Sequence, residues 1–535
     1  MTLFLMNSGQ ARARLVQAGA VFVAAALVAG CGSTYRPVVT PIGSSGPPSQ
    51  PTAYAVVVSA PSPTTAGVAT IVDYSGDTVL AYAPIGPGPS VFTLNEAATT
   101  GYTVNSDGTL SNIPISSQLQ AKQVTYSTLS SAAQPAPPHP PVNIFSPASG
   151  IWGADLTGNY ADVFSGGPEA FQLAIPVATT PVMIVGSTTT GQRNYAISQD
   201  FDAPNNNGPN GVACNISPTT APVNGEADGI EISSLTRSSQ IPVGLCPVYA
   251  VQSPDNRRFF VLNRGSDTVT VINSQDNTLD NQCPPPTGCV NQSGQTYFSH
   301  PILPLSTNAV TVTGITPPNG TSGMTTIAGP VYAEYNAATS QLVVANYDGG
   351  TISVIDVSED EYGNDSSTFG TTFTIPVGNN PAGVTVLVDG SRAYTANQTD
   401  GTVTIVNLTS HTVEKTLPVI GNPRTVVSVQ NSQFGKVYVA SPNSPYLTIL
   451  RTDLDIVDTT ILVEGNIVDV RVTTQTGTGG NSNQTSRSPG HGQPCNLPDV
   501  PGGYQVVGAP AGTTVEPTSS LANCAVQDPS LLTVP

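Results

Sequence analysis

The chain has 535 residues and a formal charge of −18; only 9% of its residues are charged, while 51 are glycine and 49 proline. This balance excludes a general nucleic-acid binder, which needs a basic face, and electrostatic docking on anionic lipid. Few charges, many turn formers and abundant Val, Thr and Ile describe a β-rich, loop-rich exported protein whose acidity keeps it soluble.

At the N-terminus, Arg12 and Arg14 precede the apolar run Ala18–Gly30, which ends at Cys31. The thirteen residues of that run are too few to span a bilayer but fit the core of a signal peptide. Leu27-Val28-Ala29-Gly30-Cys31 resembles a bacterial lipobox. The resemblance implies cleavage before Cys31 and acylation of that cysteine, with the lipid bilayer as partner; several acyl chains anchor durably where one does not. Residues 1–30 therefore read as a lipoprotein signal peptide and the Gly/Ser/Pro-rich 31–51 as a flexible tether. Gly32 resembles the outer-membrane-sorted case, which places the protein on the periplasmic or cell-surface face.

Residues 52–474 carry the fold. Tyr54–Val58 and Ala69–Tyr82 form a first sheet unit, and the Asp-Gly hairpin Gly101–Leu110 reads as its continuation. Pro135–Pro141 is a stiff connector, and Ile151–Phe171 a degenerate second unit. A junction then recurs as Ile175–Pro181, Ile241–Pro247, Ile375–Pro381 and Leu417–Pro423, each followed by an inner strand. Alternating hairpins follow, the clearest being Tyr394–Asn407, and the pattern is densest over Val331–Val472. Such repetition predicts an all-β fold, a β-propeller of four-stranded antiparallel blades with long inter-strand insertions. Blade starts near 52, 145, 181, 247, 330, 381 and 423 give seven blades, and Val468–Val472 is expected to pair with the first and close the ring. Asp202–Asp228 and Ser274–Gly323 are the long insertions, where recognition often resides. Residues 475–535 form a Gly/Ser/Pro-rich C-terminal extension, beginning with a run that has no apolar period.

Tyr394-Thr-Ala-Asn397, Tyr438-Val-Ala-Ser441 and Val343-Val-Ala-Asn346 stand where YVTN-type propeller repeats of exported bacterial proteins carry their tetrapeptide. The chain resembles that group closely over Pro247–Val472 and loosely over Thr52–Leu245. The group overlaps with lactonase-like propellers, so the resemblance implies a fold and no fixed activity.

Setting Cys31 aside leaves six of the seven cysteines, an even number suited to an oxidising compartment. Proximity suggests Cys214 with Cys246, Cys283 with Cys289 and Cys495 with Cys524, one of several possible pairings. No catalytic motif is present, and no residue is nominated as catalytic. The four histidines, His139, His300, His411 and His491, lie far apart and read as loop residues. Glu359, Asp360, Glu361 and Asp365 are a weak calcium candidate without EF-hand spacing; otherwise no cofactor or metal is expected. Asp73, Asp348, Asp389 and Asp400 read as turn formers.

The preferred function is a membrane-anchored binding platform in the cell envelope, engaging a protein or glycan partner and no nucleic acid. The alternatives are a lactonase-like or other small-molecule hydrolase acting at the channel mouth, and a surface-coat structural component.

Overall fold

The computed structural model describes residues 53–129, 139–147, 150–165, 170–186, 193–199, 224–305, 311–313, 325–326, 328–429, 435–473, 504–506 and 514–515. Alternating apolar and polar residues, punctuated by Asp, Asn and Gly turns, fold into successive antiparallel sheets, as a period of two requires. Blade 1 is built from Tyr54–Ala60, Ala66–Asp73 and Val79–Pro87, with Asn466–Val472 added as its innermost strand. Blade 2 covers Val91–Leu94 to Thr125–Thr128, blade 3 Asn143–Phe145 to Ala170–Pro176, and blade 4 Pro181–Gly186 to Thr236–Leu245. Blade 5 runs from Pro247–Gln252 to Thr278–Leu279, its outer edge completed by Ile302–Pro304. Blades 6, 7 and 8 begin at Pro330–Asn336, Pro381–Val386 and Thr425–Val429. Each inner strand neighbours the inner strands of the blades before and after it, and that of blade 8 packs on Asn466–Val472, so the ring is closed.

The ring has eight blades, not the seven expected. The hairpin Gly101–Leu110 is the middle of its own sheet and does not continue blade 1. No Ile-Pro-Val junction precedes blade 2; Ile85-Gly-Pro-Gly-Pro-Ser90 stands there instead, which hid the boundary. The other expected starts lie within two residues of the observed strands, and closure occurs as expected, with Ala55 opposite Val472 and Val57 opposite Val470. The junction prolines Pro181, Pro247, Pro330 and Pro381 each open an inner strand, and the register shifts immediately after every one of them. A residue without an N–H is tolerated at such an irregular strand start.

One side-chain device repeats inside the blades. Asn263 Nδ2 donates to the hydroxyls of Thr268 and Thr270, at 3.1 and 2.8 Å. Asn346 does the same to Thr351 and Ser353, Asn397 to Thr402 and Thr404, and Asn105 to Thr109 and Ser111. Each amide closes the hairpin between the second and third strands, where a buried polar group needs partners. A second device joins neighbouring blades. A basic residue opening a second strand reaches the outer hairpin of the next blade: Arg193 donates to Ser274 O, Arg392 to Thr452 O, and Lys436 to Tyr74 O and Asp77. Between the blades the packing is apolar, in clusters that run from one sheet face to the next.

Outside the ring, Thr311–Thr313 pairs with Thr325–Thr326 and with Tyr504–Val506 of the C-terminal extension, which in turn pairs with Thr514–Val515. Cys283 and Cys289 are disulfide-bonded, as the spacing suggests. Cys246 is also in a disulfide. Cys31, Cys214, Cys495, Cys524 and His491 lie outside the described residues.

Candidate functional site

The inner strands bring together, at the middle of the ring, polar side chains that the sequence disperses over hundreds of positions. Asp469 and Arg471, i and i+2 on the closing strand, share one face and are 3% and 1% exposed. Arg471 donates to Asp469 Oδ2 from Nε at 3.2 Å and Nη2 at 3.0 Å, while Asp469 Oδ1 accepts from the Thr425 hydroxyl at 2.9 Å. Arg424, just ahead of the blade 8 inner strand, donates to Val468 O at 2.6 Å. On the inner strands of blades 5 and 6, Tyr249 and Tyr332 lie against each other with ring centroids 4.7 Å apart. Burial lowers the Arg471 pKa, but Asp469, Tyr332 and Tyr249 more than offset it, so the guanidinium stays charged.

Glu334 is two residues beyond Tyr332 and only partly buried. Loss of solvent around it pushes its carboxyl up to about 8, against hydrogen bonding with the Thr385 side chain and Val386 backbone and against the Arg471 charge. It therefore keeps its proton at neutral pH. Beside it, the Thr385 hydroxyl donates to Ser428 Oγ at 3.0 Å, and Ser428 Oγ donates to Val386 O at 2.8 Å. The channel thus combines a neutral acid, two hydroxyls and a satisfied ion pair. Chemically it can donate a proton or hydrogen-bond a polar ligand.

The acidic loop predicted as a weak calcium candidate has a different organisation. Glu359 and Asp365 both turn onto Arg258, which also pairs with Asp280 at 3.1 Å; the Asp365 contact is 2.6 Å. Asp360 accepts from the backbone amides of Tyr362 and Asn364 and from Asn291. Two of the four acids of the calcium candidate are thus engaged by basic side chains, Glu359 by Arg257 and Arg258 and Asp365 by Arg258 and His300. His300 Nδ1 lies 2.7 Å from Asp365 Oδ2, and its ring stacks on Phe369. This node ties the insertion that follows blade 5, including the Cys283–Cys289 loop, to the outer loop of blade 6. Val290 and Ile302 remain 66% and 57% exposed on that insertion.

Among the turn formers, Asp73 caps Ser75 and Gly76, Asp389 caps Ser391, and Asp400 accepts from Asn379. Asp348 does more, taking Arg264 as a bidentate partner at 2.9 and 2.7 Å. His411 stacks face to face on Phe373, 3.7 Å away, and His139 lies beside Asp155. Neither contact was legible from position. The channel charges did leave a signal: Asp469 and Arg471 interrupt an apolar strand at i, i+2, where an alternating pattern destined for the interior should carry none. Among the described residues, no group of three or more His, Cys, Asp or Glu is arranged to hold a metal ion.

No family model and no curated protein matches the chain. Solved structures do. Apo AztD from Citrobacter koseri is 13% identical, with a TM-score of 0.48 over 78% of this chain and 97% of its own. A putative 6-phosphogluconolactonase from Bacteroides fragilis is 13% identical, with a TM-score of 0.46 over 80% and 99%. A protein from Lactobacillus plantarum is 14% identical, with a TM-score of 0.43 over 78% and 98%. At such identities the similarity concerns fold and says nothing of chemistry.

Proposed function

We propose that this chain is an exported lipoprotein, anchored through Cys31, whose propeller is a binding platform in the cell envelope. The observation that carries the reading is the insertion at 274–305. It is closed by a disulfide and held by Arg258 and His300, yet it presents Val290 and Ile302 to solvent. A rigid, ornamented edge that leaves apolar groups uncovered has the character of an interaction surface. The channel charges are satisfied within the ring, which also favours a platform. The repeated asparagine device supports assigning the blades to the YVTN type. The test is quantitative capture from envelope extract by the full chain and by V290D/I302D. Stoichiometric capture of one partner, lost in the variant, supports the platform; equal capture by both would remove the insertion from the interface.

A second reading, a small-molecule hydrolase at the channel, rests on Glu334, a proton-bearing acid beside Arg471. It requires turnover of a lactone panel by the full chain that E334Q abolishes.

A further inference from the structure

We infer that Glu226 and Asp228 of blade 4 share one proton, and that its loss as pH rises loosens the joint between blades 3 and 4. Register sets blade 4 apart from its neighbours. In blade 5 the second strand ends at Asn263, opposite Thr268, and the hydroxyls of Thr268 and Thr270 receive its amide. In blade 4 that strand ends at Ser198, opposite Glu226, with Asp228 two residues on. Blade 4 therefore carries a serine and two acids where blades 5, 6 and 7 carry an asparagine and two hydroxyl residues. Asn263 Oδ1 also accepts the junction N–H of Gly244, at 3.0 Å. In blade 4 the corresponding acceptor is Asp228 Oδ2, which takes Ala178 N at 2.7 Å. A joint that cannot titrate in blade 5 is here built from carboxyl groups.

Both acids are fully buried, and their charges balance only with that proton in place. Asp228 has both oxygens taken, Oδ2 by Ala178 N and Oδ1 by Arg237 Nη1 at 3.3 Å, so it is the anion. The same guanidinium nitrogen is 3.9 Å from Glu226 Oε1, too far for a hydrogen bond. The two acids are hydrogen-bonded to each other, which two carboxylates, being acceptors only, cannot be without a proton between them. Glu226 therefore holds the proton and donates it to Asp228. The charged side chain facing the pair is Arg237, on the fourth strand, which otherwise presents Gln240 and Pro242. The second strand presents Ala196 and Ser198, and blade 3 packs on this side with Ala154, Ala161, Val163 and Ile175. Glu231, further along the same strand, is held by Arg193. Once Glu226 ionises, two carboxylates share one arginine in an apolar seam.

Burial raises the Asp228 pKa against the pull of Glu226, Ala178 and Arg237, so the folded pair keeps its proton to higher pH than the unfolded chain does. The stability tied to that proton is lost as pH rises from the unfolded carboxyl range through the folded value. The experiment follows backbone hydrogen exchange of the full chain from pH ~5 to ~9, corrected for the intrinsic rate. In wild type, opening of 177–186 and 224–231 should rise ~tenfold per pH unit until the pair has lost its proton, and then level off. Glu226→Gln keeps a donor to Asp228 without a second charge and should abolish the slope. So should the triple variant Ser198→Asn, Glu226→Thr, Asp228→Thr, which rebuilds the arrangement of blade 5. The strands Arg392–Asn397 and Thr402–Asn407 of blade 7 are the internal control and should show no such slope in any of the three proteins. A level wild-type profile, or a slope that survives in either variant, would overturn the shared proton. An equal slope in blade 7 would overturn its assignment to this joint.

Discussion

Lys436 lies on the seam where blade 8 meets blade 1. It is 6% exposed, and its Nζ donates to both Asp77 oxygens at 2.7 Å and to Tyr74 O at 2.6 Å, over the Tyr74 ring. K436M keeps the length of the stem and removes the charge, which leaves a buried carboxylate uncompensated. Breaking one side of such a pair costs ~3–5 kcal/mol. A ring of roughly 420 residues unfolds with about 0.9 kcal/mol/K of entropy, so the midpoint should fall ~3–6 °C. Burial raises the Asp77 pKa, and Lys436 is the main influence holding it down. In K436M that restraint is gone and the folded-state pKa rises further. A raised carboxyl loses stability as pH rises from the unfolded value through the folded one, so the deficit of K436M should be larger at pH 8 than at pH 5. D77N in the K436M background removes the stranded charge and should recover most of the loss. The assay is scanning fluorimetry of the wild type, K436M and the double variant at both pH values. A K436M midpoint within a degree of wild type, a deficit independent of pH, or a double variant no better than K436M would each refute the reasoning.

E334Q should flatten the pH dependence of stability. The wild-type carboxyl, pushed up to about 8, disfavours the folded state progressively from pH ~4.5 to 8, with a ceiling of ~5 kcal/mol, so the variant gains most at pH 8.5 in urea unfolding. N346A leaves Thr351 and Ser353 without their shared donor and should cost ~1–3 kcal/mol, read as a midpoint lower by a few degrees. R258M removes the cation shared by Asp280, Glu359 and Asp365, leaving Glu359 with Arg257 and Asp365 with His300. It should accelerate hydrogen exchange over 283–300 well before the global transition, and unchanged exchange there would show that the node does not hold the insertion.

The sequence was most legible where each blade repeats its own grammar. Ile375–Pro381 and Tyr394–Asn407 state a junction, an inner strand and a closing asparagine in order, and blade 7 appears as read. Blade 2 was missed because the junction was weighted above the hairpin. Tyr102-Thr-Val-Asn105 carries the same asparagine, four and six residues ahead of its hydroxyl partners where the other blades have five and seven, and an asparagine closing an Asp-Gly hairpin would have marked a separate blade. The candidate site was less accessible for a physical reason. Glu334, Tyr249 and Arg471 meet only because ring closure brings their strands around one axis, and local pattern carries no information about that convergence. The Arg258 node hid likewise: Glu359 and Asp365 sit about a hundred residues downstream, and without the arginine the acidic loop resembles a cation site.

Closure through Asn466–Val472 also sets an order in time. Tyr54 N donates to Thr473 Oγ1 across 419 positions, and every ladder bond of that seam spans a similar distance. Bringing such ends together costs ~5 kcal/mol of chain entropy beyond a constant, so the seam forms late. Until the chain has been synthesised as far as Val472, strand Tyr54–Ala60 waits with a bare edge of apolar residues, Ala55-Val-Val-Val58. A polypeptide terminated even a few residues before Val472 would keep that edge permanently and would be expected to pair with other copies of itself. The last strand of the ring to leave the ribosome is thus the one that makes its first strand safe.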